Sequence, residues 1–162
     1  MRDRRIQRRL NGLRKVLAGL RPFGESVWPG VRNDLFVAHE SIYRFATAYV
    51  AGAVVLDAGC GTGYGSRLLG DSGAARVLGL DIDRLSVAFA RRRFANATVR
   101  FERADCEALD LAPASLDFVF ASNVLEHLDR PERFLAAAAR ALRPGGRALF
   151  AVPPISSPAS AA

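Results

Sequence analysis

The segment VVLDAGCGTGYGS at residues 54–66 sets the tightest limit on what this chain can fold into. Its apolar opening reads as a buried parallel strand, and the alternating Gly59, Gly61, Gly63 and Gly65 after Asp57 read as a tight turn that opens a helix. A glycine has no Cβ, so such a turn can take positive φ and bring backbone close to a flat polar ligand such as a nucleoside. A small-molecule site at the carboxyl end of the first strand is the expectation.

The spacing narrows the ligand. Dinucleotide-binding dehydrogenases want G-x-G-x-x-G, and neither register fits: from Gly59 the last place falls on Tyr64, and from Gly61 on Ser66. The pattern is D-x-G-x-G-x-G-x-G, which resembles motif I of the class I S-adenosylmethionine-dependent methyltransferases. That resemblance implies S-adenosyl-L-methionine as cofactor, with Asp57, Gly59, Cys60, Gly61 and Gly63 around it.

Three later stretches support the same reading. RVLGLD at residues 76–81 is a short apolar strand ending in Asp81, 22 positions beyond Gly59, where a carboxylate can accept from a ribose diol; Ile82 adjoins it. Asp83 reads as the cap of the next helix. Leu85, Ala88 and Phe89 are expected on that helix's inner face, and Arg91, Arg92 and Arg93 suit its C-terminal end. FERADCEAL at residues 101–109 resembles the methyltransferase segment whose aspartate takes the adenine amino group, which points to Asp105 and to the backbone of Cys106. LDFVFASNVLEHL at residues 116–128 reads as the fourth strand and resembles the fourth motif of small-molecule methyltransferases, bringing Asn123 to the site. It is not the N-P-P-Y type found in enzymes that methylate exocyclic amino groups of bases. His127 is the candidate catalytic residue, a group able to move a proton near neutral pH; Glu126 reads as a buttress of the turn.

Pro131 opens the last helix, with Leu135, Ala138, Ala139 and Leu142 expected inward, before an L-R-P-G-G turn and a fifth strand from Arg147. Ahead of the first strand, residues 35–50 read as a helix with Phe36, Ile42, Phe45, Ala46 and Tyr49 inward. By the resemblance this helix lies over the cofactor and brings His39, Tyr43 or Arg44 near its methionine end; Arg44 is preferred because a carboxylate wants a guanidinium.

The architecture expected is α/β, a Rossmann-like doubly wound parallel sheet of order 3-2-1-4-5, without the strands six and seven that relatives carry. The expected division is a basic amphipathic helix and linker (1–34), the cofactor domain (35–154) and a disordered tail (155–162). The helix carries Ile6, Leu10, Leu13, Leu17 and Leu20 between arginines; eight of the 23 basic residues lie in the first 21, so the net charge of +7 is concentrated there. Peripheral contact of that helix with a membrane is one expectation, while the near-neutral body makes nucleic acid an unlikely partner. The open edge of strand five invites self-association. Two isolated cysteines give neither a disulfide framework nor a metal site, and no apolar run is long enough to span a bilayer, so the cytoplasm is the default location. The functional expectation is methyl transfer to a small-molecule acceptor. The alternatives are a non-catalytic cofactor-binding module and, less favoured by the glycine spacing, a nicotinamide-binding domain.

Overall fold

A computed structural model describes residues 34–153; the expected N-terminal helix and linker and the expected tail lie outside the described residues. In chain order the elements are α1 (Asp34–Ala46), β1 (Val54–Ala58), α2 (Tyr64–Asp71), β2 (Arg76–Asp81), α3 (Arg84–Phe94), β3 (Val99–Arg103), β4 (Leu116–Ser122), α4 (Pro131–Ala141) and β5 (Leu142–Ala151). Short 3-10 turns occupy Thr47–Tyr49, Cys106–Ala108 and Leu125–His127.

All strand pairs are parallel and the order is β3-β2-β1-β4-β5. Each β-to-β connection is a crossover between parallel strands, and the chain builds outward from β1 first toward β3 and then, from β4, toward β5, so the strand order reverses between β1 and β4. There the loops leaving neighbouring carboxyl ends part and leave a crevice. Among the described residues β5 pairs only with β4.

Two apolar clusters cover the two faces of the sheet. One gathers Val55, Val77, Val99, Phe118 and Phe120 against Tyr43, Leu69, Val87 and Ala90. The other sets Leu56, Leu80, Val119 and Ala121 against Phe134, Ala138 and Ala141 of α4. Because β1 is buried on both faces, its apolar residues run on without alternation and Asp57 is enclosed with them.

Several expected inner faces are rotated. On α1, Phe36 and Ala46 are buried as expected, but Phe45, like Tyr49 in the 3-10 turn that follows, is exposed, and Tyr43 is enclosed instead. On α3 the buried residues are Ser86, Val87 and Ala90, while Leu85 is exposed. On α4 they are Phe134, Ala137, Ala138 and Ala141, with Leu135 and Ala139 outside. In each helix the register one residue away offers an equally regular 3-4 pattern, and contact with the sheet selects between them. The L-R-P-G-G turn is drawn into β5: Leu142 pairs Leu116 and Arg147 pairs Phe118, so residues 143–146 bulge opposite Asp117. Arg143 turns back onto that aspartate at 2.8 Å.

Candidate cofactor site

The site is built at the β1–α2 turn. Gly59, Gly61 and Gly63 all have positive φ, as the turn requires. The space their missing side chains leave is filled largely by protein. A Cβ on Gly59 would strike Val124 of the loop after β4, and one on Gly63 would stand 2.6 Å from Ala90 and 2.7 Å from the Phe101 ring. The same ring lies 2.7 Å from where a Cβ of Gly79 would be. These glycines therefore serve close packing of neighbouring elements, where the sequence suggested room for ligand.

Asp57 is fully buried beneath the turn. Its carboxylate accepts from the Tyr43 hydroxyl at 3.0 and 3.2 Å and from the Ser66 hydroxyl. Burial raises its pKa to about 7, the two hydroxyl donors oppose the shift, and Asp81 adds to it. Asp81, at the tip of β2, accepts from the Gly61 N–H at 2.8 Å and from the Asp83 N–H at 2.8 Å. Burial lifts its pKa too, against these backbone donors. Asp83 caps α3 as expected, accepting from Leu85 and Ser86. Its carboxyl sits below the ordinary range because the Ser86 and Leu85 donors and Arg103 outweigh partial burial.

Beside them, Asp105 is exposed and caps the Cys106–Ala108 turn by accepting from the Glu107 N–H at 2.8 Å. Burial pushes the Cys106 thiol up to about 12, with Asp81 and Asp105 adding to the shift. The Cys60 thiol is likewise held far above its ordinary value by burial, Asp57 and Asp81. Neither cysteine is a nucleophile at neutral pH. The parallel order β3-β2-β1 places Asp57, Cys60, Asp81, Asp105 and Cys106 at the carboxyl ends of neighbouring strands.

The loop after β4 completes the border. Asn123 takes a left-handed φ of 55°, and its N–H donates to the Ala151 carbonyl at 2.8 Å. Val124 then packs against Gly59, and the exposed His127 ends the short turn beyond it. Arg44 stands apart, exposed and paired with Glu40 at 2.9 Å on its own helix. His39 shares a 2.6 Å hydrogen bond with the Tyr64 hydroxyl, and burial lowers its pKa from the ordinary imidazole value.

The residues present fit an adenosyl ligand. Gly63 opens α2 with no side-chain cap, leaving the positive end of the helix toward the turn. The Ser122 hydroxyl at the tip of β4 is buried without a partner among the described residues. Ile82 and Leu85 are 56% and 63% exposed beside Asp81, apolar surface that a base can cover. A separate hollow of about 360 Å³ lies at the amino ends of β1 and β4, lined by Tyr49, Asp117, Arg143 and Arg147. None of the residues above borders it. Sequence reasoning missed the Tyr43–Asp57–Ser66 network and Ser122. A buried acid at the end of β1 was the one available signal that hydroxyl donors had to be near.

A family model described as "Methyltransferase domain" matches residues 56–150, more than half of the chain. This chain belongs to the S-adenosylmethionine-dependent methyltransferase family. The methyltransferase domain is 40% identical over 132 residues to a probable S-adenosylmethionine-dependent methyltransferase of Mycolicibacterium smegmatis, covering 80% of this chain and 50% of that protein. It is 37% identical over 94 residues to a malonyl-[acyl-carrier protein] O-methyltransferase of Hahella chejuensis, covering 57% and 34%. Its fold matches the crystal structure of an S-adenosylmethionine-dependent methyltransferase from Mesorhizobium loti with a TM-score of 0.65 and 33% identity, covering 70% of this chain and 52% of that one. The chain thus spans between about a third and half of the length of these relatives. No helix among its described residues is long and apolar enough to cross a membrane.

Proposed function

We propose that this domain binds S-adenosyl-L-methionine over the β1–β4 break and transfers its methyl group to a small-molecule acceptor. The observation that carries the reading is the convergence at one sheet end of the β1–α2 turn, Asp81, the Asp105–Cys106 corner and the Asn123 loop. In their assigned roles, Asp81 accepts from the ribose diol, and Asp105 with the Cys106 N–H reads the adenine edge. Ile82 lies against the base. The backbone of the turn at Gly59, Cys60, Gly61 and Gly63 and the corner at Asn123 border the rest of the ligand, with Asp57 shaping the turn from below.

Bound here, the cofactor supplies an electrophilic methyl on a sulfonium that leaves as a neutral sulfide. The work left to the protein is to hold the acceptor in line and keep water out. His127 is exposed on the loop after β4, and we assign it to take a proton from an acceptor that must lose one. A small-molecule acceptor is supported by the fourth-motif sequence at residues 122–128 and by the malonyl-[acyl-carrier protein] O-methyltransferase likeness.

Calorimetric titration with S-adenosylhomocysteine and, separately, with NAD tests the cofactor assignment. Binding of S-adenosylhomocysteine alone is expected; binding of NAD alone refutes it. Single-turnover transfer from radiolabelled cofactor to a panel of acceptors then tests the reaction, and binding without transfer to any of them leaves a cofactor-binding module. An unchanged rate in His127→Ala with acceptor bound removes that residue from the chemistry.

A further inference from the structure

Resting on the cofactor assignment above, we propose that Tyr43 is a positioning residue for the cofactor turn, the point through which α1 holds β1 and α2 in their binding shape. The Tyr43 hydroxyl reaches the Asp57 carboxylate from α1, while the Ser66 hydroxyl reaches it from the first turn of α2. Tyr43, Asp57 and Ser66 are each at most 1% exposed. One carboxylate thus ties three elements together across residues 59–63, whose glycines give that turn little stiffness of its own.

The ring of Tyr43 is as tightly fitted as its hydroxyl. It lies where a Cβ at position 65 would stand, so the last glycine of the D-x-G-x-G-x-G-x-G pattern is matched to this tyrosine. Its centroid is 4.6 Å from that of Phe120 on β4 and 5.7 Å from that of Tyr64 on α2. One helical turn earlier, the His39–Tyr64 hydrogen bond fastens α1 to the start of α2 a second time. Displacing α1 would therefore strip a donor from Asp57 and uncover Gly65 in the same motion.

The groups that face the Asp57 carboxyl are Tyr43 from α1, Ser66 and Tyr64 from α2, Cys60 from the turn, Asp81 from β2 and Cys106 from the turn after β3. None of these is a cation. The two hydroxyl donors therefore favour the ionised carboxylate, and removing one shifts the group further toward its neutral form.

Tyr43→Phe deletes the donor and keeps the ring over Gly65. Titration of the whole chain with S-adenosylhomocysteine between pH 6 and 9, with melting curves at each pH, reads the effect. The variant is expected to bind about tenfold more weakly at pH 7.5, the scale of a lost hydrogen bond to a charged group, and its affinity should change at a higher pH than that of the wild type. A lower melting temperature with an unchanged affinity and pH profile overturns the proposal while leaving the cofactor assignment intact. A wild type that fails to bind S-adenosylhomocysteine overturns the cofactor assignment and the positioning role with it. Should Tyr43→Phe not fold, Ser66→Ala removes the other donor to the same carboxylate. An upward shift of its binding profile supports the clamp, and an unshifted one refutes it.

Discussion

The Asp57→Asn substitution isolates what a buried carboxyl costs this fold. The acid moves from an ordinary 3.8 to about 7 on folding, driven first by burial and opposed by Ser66 and Tyr43. The sign follows from proton binding. Between those two pH values the folded chain retains a proton that the unfolded chain has released, so stability is full below about pH 4 and falls as pH rises through 7. At 1.36 kcal/mol per pH unit, the whole span corresponds to about 4 kcal/mol, an upper bound because local opening and water entry relieve part of it. Asparagine has nearly the same shape, keeps a carbonyl acceptor for Tyr43 and cannot ionise. Wild type and variant should therefore melt closest together at about pH 4 and below. They should separate as pH rises to 8, the variant ending higher by on the order of 10 °C. The assay is a set of thermal melts of ligand-free protein across that range. Groups that do not interact with Asp57 contribute equally to both proteins and cancel in the difference. A gap between the two melting temperatures that stays constant from pH 4.5 to 8.5 would refute the reasoning.

Asp81→Asn should weaken S-adenosylhomocysteine binding by about ten- to a hundredfold, as expected when a hydrogen bond to a charged group is weakened; calorimetry measures it, and melting curves should show the fold intact. Gly63→Ala places a methyl against Ala90 and Phe101 at a φ of +85°, and should cost at least about 2 kcal/mol, measured by denaturant titration. Phe134→Ala empties a fully buried position on α4 whose ring meets Phe150 at 5.8 Å. The expected loss is about 3–5 kcal/mol, with no direct effect on cofactor affinity per folded molecule.

The sheet was readable because β1, β2 and β4 are short, mainly apolar runs ending at Ala58, Asp81 and Ser122. Local sequence fixes where such a run stops, and long connections between runs force parallel pairing. Helix faces were less legible. Phe45 and Tyr49 sit at the same helical spacing as truly buried residues, yet they lie outside, and only contact with Phe120 and Asp57 shows why Tyr43 took the inner place. The same limit applies to the site. Acids and glycines could be named because their chemistry is distinctive, whereas Ser66, Ser122 and Tyr43 act through partners far away in the chain. Arg44, preferred on its charge, is exposed and paired with Glu40 on its own helix.

Phe101 bears on how this fold can vary. A single benzyl group is wedged against both Gly63 on the turn and Gly79 in mid-sheet, so three positions far apart in sequence share one small volume. A methyl gained at Gly63 meets Ala90 as well as Phe101 at a positive φ, and one gained at Gly79 meets the Ser66 hydroxyl as well as Phe101, so a smaller residue at Phe101 makes room for neither. Across natural variants both glycines should therefore hold, with Phe101 exchanging only for side chains that fill the same space.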